Sequence, residues 1–224
     1  MIDTLIFDFD GIVIDTETPN YVTWQQEFEA LGVSLELVVW SEIIGGGTGT
    51  FDTFGHLEQL AGPQPDGEAL KERQRRRHRA LIDESPLLPG IRDYIDEARR
   101  TKMKLGVASS SSREWVEGHL AKRDLLGYFG AIATRDDVSN VKPDPELYLT
   151  VVEGLGSKPG NAVAIEDSYH GVTAAKRAGL WCVAVPNAMT RDMDFDQADI
   201  LLDSLSDLPL DSLLSRLAEA ARWR

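Results

Sequence analysis

"TLIFDFDGIVIDTE", residues 4–17, runs Leu5, Ile6 and Phe7 together and then sets Asp8 and Asp10 one residue apart, followed by Gly11. A short apolar run without polar alternation reads as a strand covered on both faces, and such strands belong to parallel sheets flanked by helices. A carboxylate at the exit of a buried strand is costly unless something positive meets it. The stretch therefore predicts both an architecture and the place where chemistry sits.

Similar apolar runs recur at 103–108 (MKLGVA), 131–134 (AIAT), 162–165 (AVAI), 181–185 (WCVAV) and 199–202 (DILL). Helical stripes separate them: Ile91, Tyr94, Ile95 and Ala98; Leu147, Tyr148, Val151, Val152 and Leu155; and Val172, Ala175 and Ala178. Asp144-Pro145 reads as a helix start and Gly179 as a helix stop. The alternation predicts an α/β fold with a doubly wound, Rossmann-like parallel sheet. One interval breaks it. Residues 15–82 read as helical, with Tyr21, Trp24, Phe28, Leu31 and Leu35 predicted on one apolar helix face. "DESPLLPG" (83–90) returns the chain to the α/β rhythm. The expected division is a core of residues 1–14 and 83–224 with an inserted all-α cap, 15–82.

The chain has 224 residues, 42% hydrophobic and 27% charged, the profile of an ordinary globular protein. It carries 37 acidic against 23 basic residues, a net charge of −14 that repels nucleic acid and anionic membranes. Neither a membrane-spanning run nor a secretory leader is expected. The lone Cys182 fits a reducing compartment, so a cytoplasmic location is expected, and a monomer is expected because nothing in the sequence demands more.

In open α/β sheets, ligands bind beyond the carboxyl ends of the strands. Asp8 and Asp10 leave the first strand there, the serines 109–112 the second, Lys142 follows the third, and Glu166 and Asp167 leave the fourth. Asp8, Asp167 and Glu166 offer hard oxygen ligands suited to Mg²⁺. A phosphate monoester, carrying about −1.5 to −2 charges, could approach so many carboxylates only with a cation and Lys142 beside it. Asp8 can then act as nucleophile and Asp10 as general acid and base.

The four stretches "DFDGIVIDTE", "VASSS", "VKPDP" and "IEDSYHGVTAAKRAG" resemble, in order and spacing, the signature motifs of the haloacid dehalogenase (HAD) superfamily. They resemble most its phosphatase and β-phosphoglucomutase-like branch, with a helical cap after the first strand. The resemblance implies Asp8 as nucleophile, Asp10 as acid/base, Ser109 as the second-motif phosphate ligand and Lys142 as the third-motif lysine. It also implies an acidic pair, Glu166 and Asp167, and Mg²⁺ held by Asp8, the backbone carbonyl of Asp10 and Asp167, beside which Glu166 stands as a further candidate ligand. Substrate contacts are expected from Phe9, Thr16, Asn20, Gly46 and Ser110. An intact Asp8–Asp10 pair favours phosphoester hydrolysis, because a leaving alcohol needs a proton and a halide does not.

A phosphomutase is the enzymatic rival. Its cap normally supplies cations and a histidine, where this chain has Asn20 in "TPNYVTW" and glycines in "IIGGGTGT" (43–50). A rival of another class is a phosphoacceptor switch like the receiver domains, which are shorter and lack a cap. The early glycine, with Ile12 and Ile14 at ligand positions, rules out a calcium loop, and "GGGTGT" lacks the Lys-Ser/Thr ending of a phosphate loop. "KERQRRRHR" (71–79) is expected to be a solvated helix face. The expected substrate is a small phosphorylated metabolite.

Overall fold

The computed structural model of the chain describes residues 2–41 and 52–220. Six strands form one sheet: β1 (Thr4–Phe7), β2 (Lys104–Ala108), β3 (Ala131–Ala133), β4 (Ala162–Glu166), β5 (Trp181–Ala184) and β6 (Ile200–Leu201). Their order is β3-β2-β1-β4-β5-β6 with every pairing parallel. This is the Rossmann-like doubly wound arrangement, whose strand order reverses between β1 and β4.

The strands are apolar throughout because both faces of the sheet are covered. In β1, Leu5 and Phe7 enter one hydrophobic cluster and Ile6 enters the other. The first cluster also takes in α5 (Ile91–Arg100), α6 (Arg113–Lys122) and α9 (Leu210–Ala220), while α7 (Glu146–Gly154) and α8 (Tyr169–Arg177) pack on the opposite face. Local signals set the helix ends. The Ser112 hydroxyl caps α6, and Gly179 takes φ +81° just past α8.

Between β1 and α5 lie the cap helices α1 (Glu17–Ala30), α2 (Leu37–Ser41), α3 (Thr53–Ala61) and α4 (Gly67–Glu84). They gather their own cluster of Phe28, Leu35, Trp40, Leu57 and Leu70, against which Tyr21 and Trp24 pack. The expected five-residue helical face holds only in part. Helix α1 stops at Ala30, Gly32 follows at φ +75°, Leu31 is exposed, and Leu35 re-enters the cluster from a loop. Helix α4 runs to Glu84, past the expected boundary at residue 82. Two core residues, Met189 and Met193, also pack on the cap cluster.

The basic run on α4 is not simply a solvated face. Arg73 and Arg77 both pair with Glu27 of α1, which is 2% exposed. Gln74, also buried, hydrogen-bonds Asn20 and Thr23 across the same helix pair.

Candidate active site

Backbone pairing puts the functional side chains at one end of the sheet. β1 and β4 are neighbours, in register from Thr4–Ala162 to Phe7–Ile165, so Asp8 emerges beside Glu166 and Asp167. The Asp8 amide donates to the Ile165 carbonyl, which continues the pairing up to the site itself. Lys142 reaches in from the loop before α7. Its Nζ lies 2.6 Å from Asp8 Oδ1 and 2.7 Å from Glu166 Oε1, with all three residues buried.

Asp8, Glu166 and Asp167 each offer an oxygen, and these lie within 4.8 Å of one another, a group able to hold a metal ion. Their electrostatics call for one. Burial pushes the Asp8 carboxyl up to about 8, with Lys142 opposing the rise and Glu166 and Asp10 adding to it. Asp167 is raised well above the usual carboxylate range by burial and by the negative charges of Asp8, Glu166 and Glu17. Lys142 stays protonated, held above its ordinary value by its two carboxylates against the cost of burial. A hard divalent cation would relieve the excess negative charge. The backbone is shaped to the same end. Gly11, at φ +79°, has no Cβ, and one placed there would run into the Asp167 carboxylate and the Asn187 amide.

Within the trio the carboxylates differ. Glu166 is already engaged: Oε1 meets Lys142 and the Tyr148 hydroxyl, and Oε2 lies 3.4 Å from the Ser168 hydroxyl. Helix α8 approaches it closely because residue 171 is glycine. Asp167 accepts a neutral donor, Asn187 Nδ2, at 2.7 Å. Asp8 and Asp167 are thus the freer ligands.

Asp10 is organised differently. Its Oδ1 accepts from the Thr16 hydroxyl and the Trp115 indole, each at 2.9 Å. Its Oδ2 accepts from the hydroxyls of Ser111 at 2.6 Å and Ser109 at 3.2 Å. The Asp10 carboxylate is therefore committed to hydroxyls and an indole, and the group of this residue expected at the metal is its backbone carbonyl. Ser109 accepts from the Ser111 amide, tying the second-motif loop to Asp10.

The expected substrate contacts fare unevenly. The Phe9 ring lies in the hydrophobic core and stacks on His119. Thr16 gives its hydroxyl to Asp10, and the Asn20 amide oxygen is taken by Gln74. The Ser110 hydroxyl is buried with no hydrogen-bond partner among the described residues. Gly46 and the "GGGTGT" loop lie outside the described residues.

Trp115, Tyr148, Asn187 and Glu17 join the site without having been anticipated, and Ser111, one of the serines 109–112, joins it through Asp10. Glu17, half-buried in the first turn of α1, is pushed up to about 8 by burial and by the negative Asp10, Asp15 and Asp8. Its place at the end of "DGIVIDTE" (10–17), two residues after Asp15, was the available signal; a lone Trp or Asn carries none.

This fold, in which the ends of the strands and the loops after them converge on a buried acidic trio and a lysine, is that of a Rossmann-like α/β core bearing a helical cap. The family model described as haloacid dehalogenase-like hydrolase matches residues 5–185, and the chain belongs to that family. It is 42% identical over 217 residues to YhcW of Bacillus subtilis (strain 168), covering 97% of this chain and 98% of that protein. It is 31% identical to hexitol phosphatase B of Escherichia coli (strain K12), covering 93% and 95%. The solved structure of CbbY from Rhodobacter sphaeroides in complex with phosphate superposes with a TM-score of 0.75 at 33% identity, covering 95% and 99%. No helix among the described residues is long and apolar enough to cross a membrane.

Proposed function

We propose that the protein is a Mg²⁺-dependent phosphohydrolase that removes phosphate from a small phosphorylated metabolite, a sugar or sugar-alcohol phosphate, through an aspartyl phosphate on Asp8. The observation that carries this is the meeting of Asp8, Lys142, Glu166 and Asp167 where β1 and β4 adjoin, with Asp10 held on its own set of donors. The similarity to a protein named hexitol phosphatase B supports the substrate class.

Asp8 and Asp167, with the Asp10 backbone carbonyl, would hold Mg²⁺, and Glu166 anchors Lys142. Bound there, the ion supplies positive charge that offsets the carboxylates and the phosphoryl oxygens. Lys142 opposes the upward push of burial on Asp8 and orients its carboxylate. Asp8 attacks phosphorus as the ester P–O bond breaks, and Asp10 gives a proton to the departing alcohol oxygen. Asp10 then takes a proton from water, which attacks the aspartyl phosphate, frees inorganic phosphate and restores Asp8. Ser109 and loop amides hold the phosphoryl oxygens. The cap, residues 15–82, opens for substrate and closes over the core of residues 1–14 and 83–224 to exclude water. The same reading makes the protein a cytoplasmic monomer, in which the buried, unpaired Cys182 stays reduced.

Phosphate release over a panel of sugar, polyol and glycolytic phosphates, with Mg²⁺ and with excess chelator, tests this. Metal-dependent release with repeated turnover is expected. Isomerisation of a hexose phosphate without phosphate release would establish the mutase instead. A phosphoprotein lasting minutes without turnover would establish the phosphoacceptor switch.

A further inference from the structure

Of the four groups that hold Asp10, three are hydroxyls, which can turn between donating and accepting. The Trp115 indole N–H can only donate. Trp115 is therefore the partner whose direction is fixed, and it commits Oδ1 of Asp10 to the accepting role at 2.9 Å. Its ring also reaches the cap. His78 of α4 stacks on it with centroids 5.6 Å apart and planes 26° apart. His78 Nε2 lies 3.2 Å from the carbonyl oxygen of Thr16, whose hydroxyl is a further Asp10 donor. On its other side Trp115 stands edge-on to the buried His119 at 4.3 Å, and His119 stacks on Phe9, the chain neighbour of Asp10. A continuous aromatic column thus joins cap helix α4 to the acid/base carboxylate.

We propose that Trp115 is a positioning residue for Asp10 and that His78 couples it to the cap, so that Asp10 is seated for proton transfer while α4 lies against the core. This rests on the phosphohydrolase reading and adds to it the link between cap position and acid catalysis. Proton donation matters only for a poor leaving group, which gives a readout that a merely structural role would not move.

Single-turnover cleavage, with enzyme in excess, is measured on p-nitrophenyl phosphate, whose leaving group departs without a proton. It is measured in parallel on the alkyl phosphate of the panel cleaved fastest by the unaltered protein. Trp115→Phe keeps the ring and removes the N–H. Its alkyl phosphate cleavage is expected to fall roughly tenfold, part of the ~10²–10⁴ that a positioned acid supplies. Its aryl phosphate cleavage is expected to stay within about twofold. His78→Leu is expected to show the same pattern at about threefold, with the double variant no slower than Trp115→Phe alone. Equal losses on both esters, or none on either, would overturn the positioning role, and additive losses would overturn the coupling to the cap. An unaltered protein that cleaves neither ester would remove the phosphohydrolase reading and this proposal together, an outcome distinct from failure of the variants in an active enzyme.

Discussion

The core and the cap each bury a carboxylate against cations, and the balance of charge differs between them. In the cap, Glu27 stands alone against two guanidinium groups, Arg73 and Arg77, whose remaining donors face water. In the core, three carboxylates, Asp8, Glu166 and Asp167, face one ammonium group, Lys142. The cap cluster is complete and ties α1 to α4. The core cluster is short of positive charge, a state that burial makes expensive and that only a further cation or a change of protonation relieves. The same device ties two helices together in one place and, on the proposed function, forms the reactive centre in the other, and the surplus of negative charge marks which is which.

Replacing the proposed nucleophile strains this contrast hardest. Asp8→Asn should lower phosphate release by ~10⁴-fold or more, with the fold intact by circular dichroism. Normal turnover in that variant would end the assignment of the core cluster as reactive.

Lys142→Met removes the single cation from that cluster and strands two carboxylates in the interior. Loss of one partner of a buried pair costs about 3–5 kcal/mol. Urea unfolding of the metal-free variant should show a loss of that order. An unchanged midpoint would mean that Lys142 does not balance the trio.

The metal-free protein should also reveal the charge deficit through pH. Burial holds the carboxyls of Asp8 and Glu17 near 8, above their ordinary 3.8 and 4.5. The folded state therefore binds protons that the unfolded state has released, so these groups favour folding most below about pH 4 and lose that effect as pH rises through 8. Urea midpoints should decline across that window, and saturating Mg²⁺ should flatten the decline. A profile that is flat without metal would contradict the shifted carboxyls.

The smallest effect belongs to the cap. Glu27→Gln keeps a hydrogen-bonding group and frees two arginines that can turn to solvent, so a loss of about 1–2 kcal/mol is expected by urea unfolding. Its kcat should stay within about twofold. A collapse of kcat at unchanged stability would show that the cap pair is not a simple fastener.

Much of the core was legible because its signals are redundant. Each strand is an apolar run bounded by turn residues, and a parallel sheet sends every strand exit to one end, so Asp8, Lys142, Glu166 and Asp167 could be brought together from order alone. The cap was less legible. Periodicity carried α1 on through Leu31 and Leu35, but Gly32 at positive φ ends it, and Leu35 is buried by a returning loop. Position in a motif said nothing of where the Phe9 ring would lie; following an apolar strand, it belongs to the core. Trp115 and Asn187 were invisible for another reason. Each reaches its aspartate across more than one element, and nothing in the local sequence distinguishes a tryptophan that donates to a carboxylate from one that packs.

The strand that delivers Asp8 is paired on both edges, with β2 on one side and β4 on the other. Its amides should be among the last to exchange with deuterated solvent, since edge elements and outlying helices can fray without unzipping the middle of a sheet. The proposed nucleophile is thereby mounted on the part of the molecule expected to open slowest, and the helices above it can breathe without disturbing it.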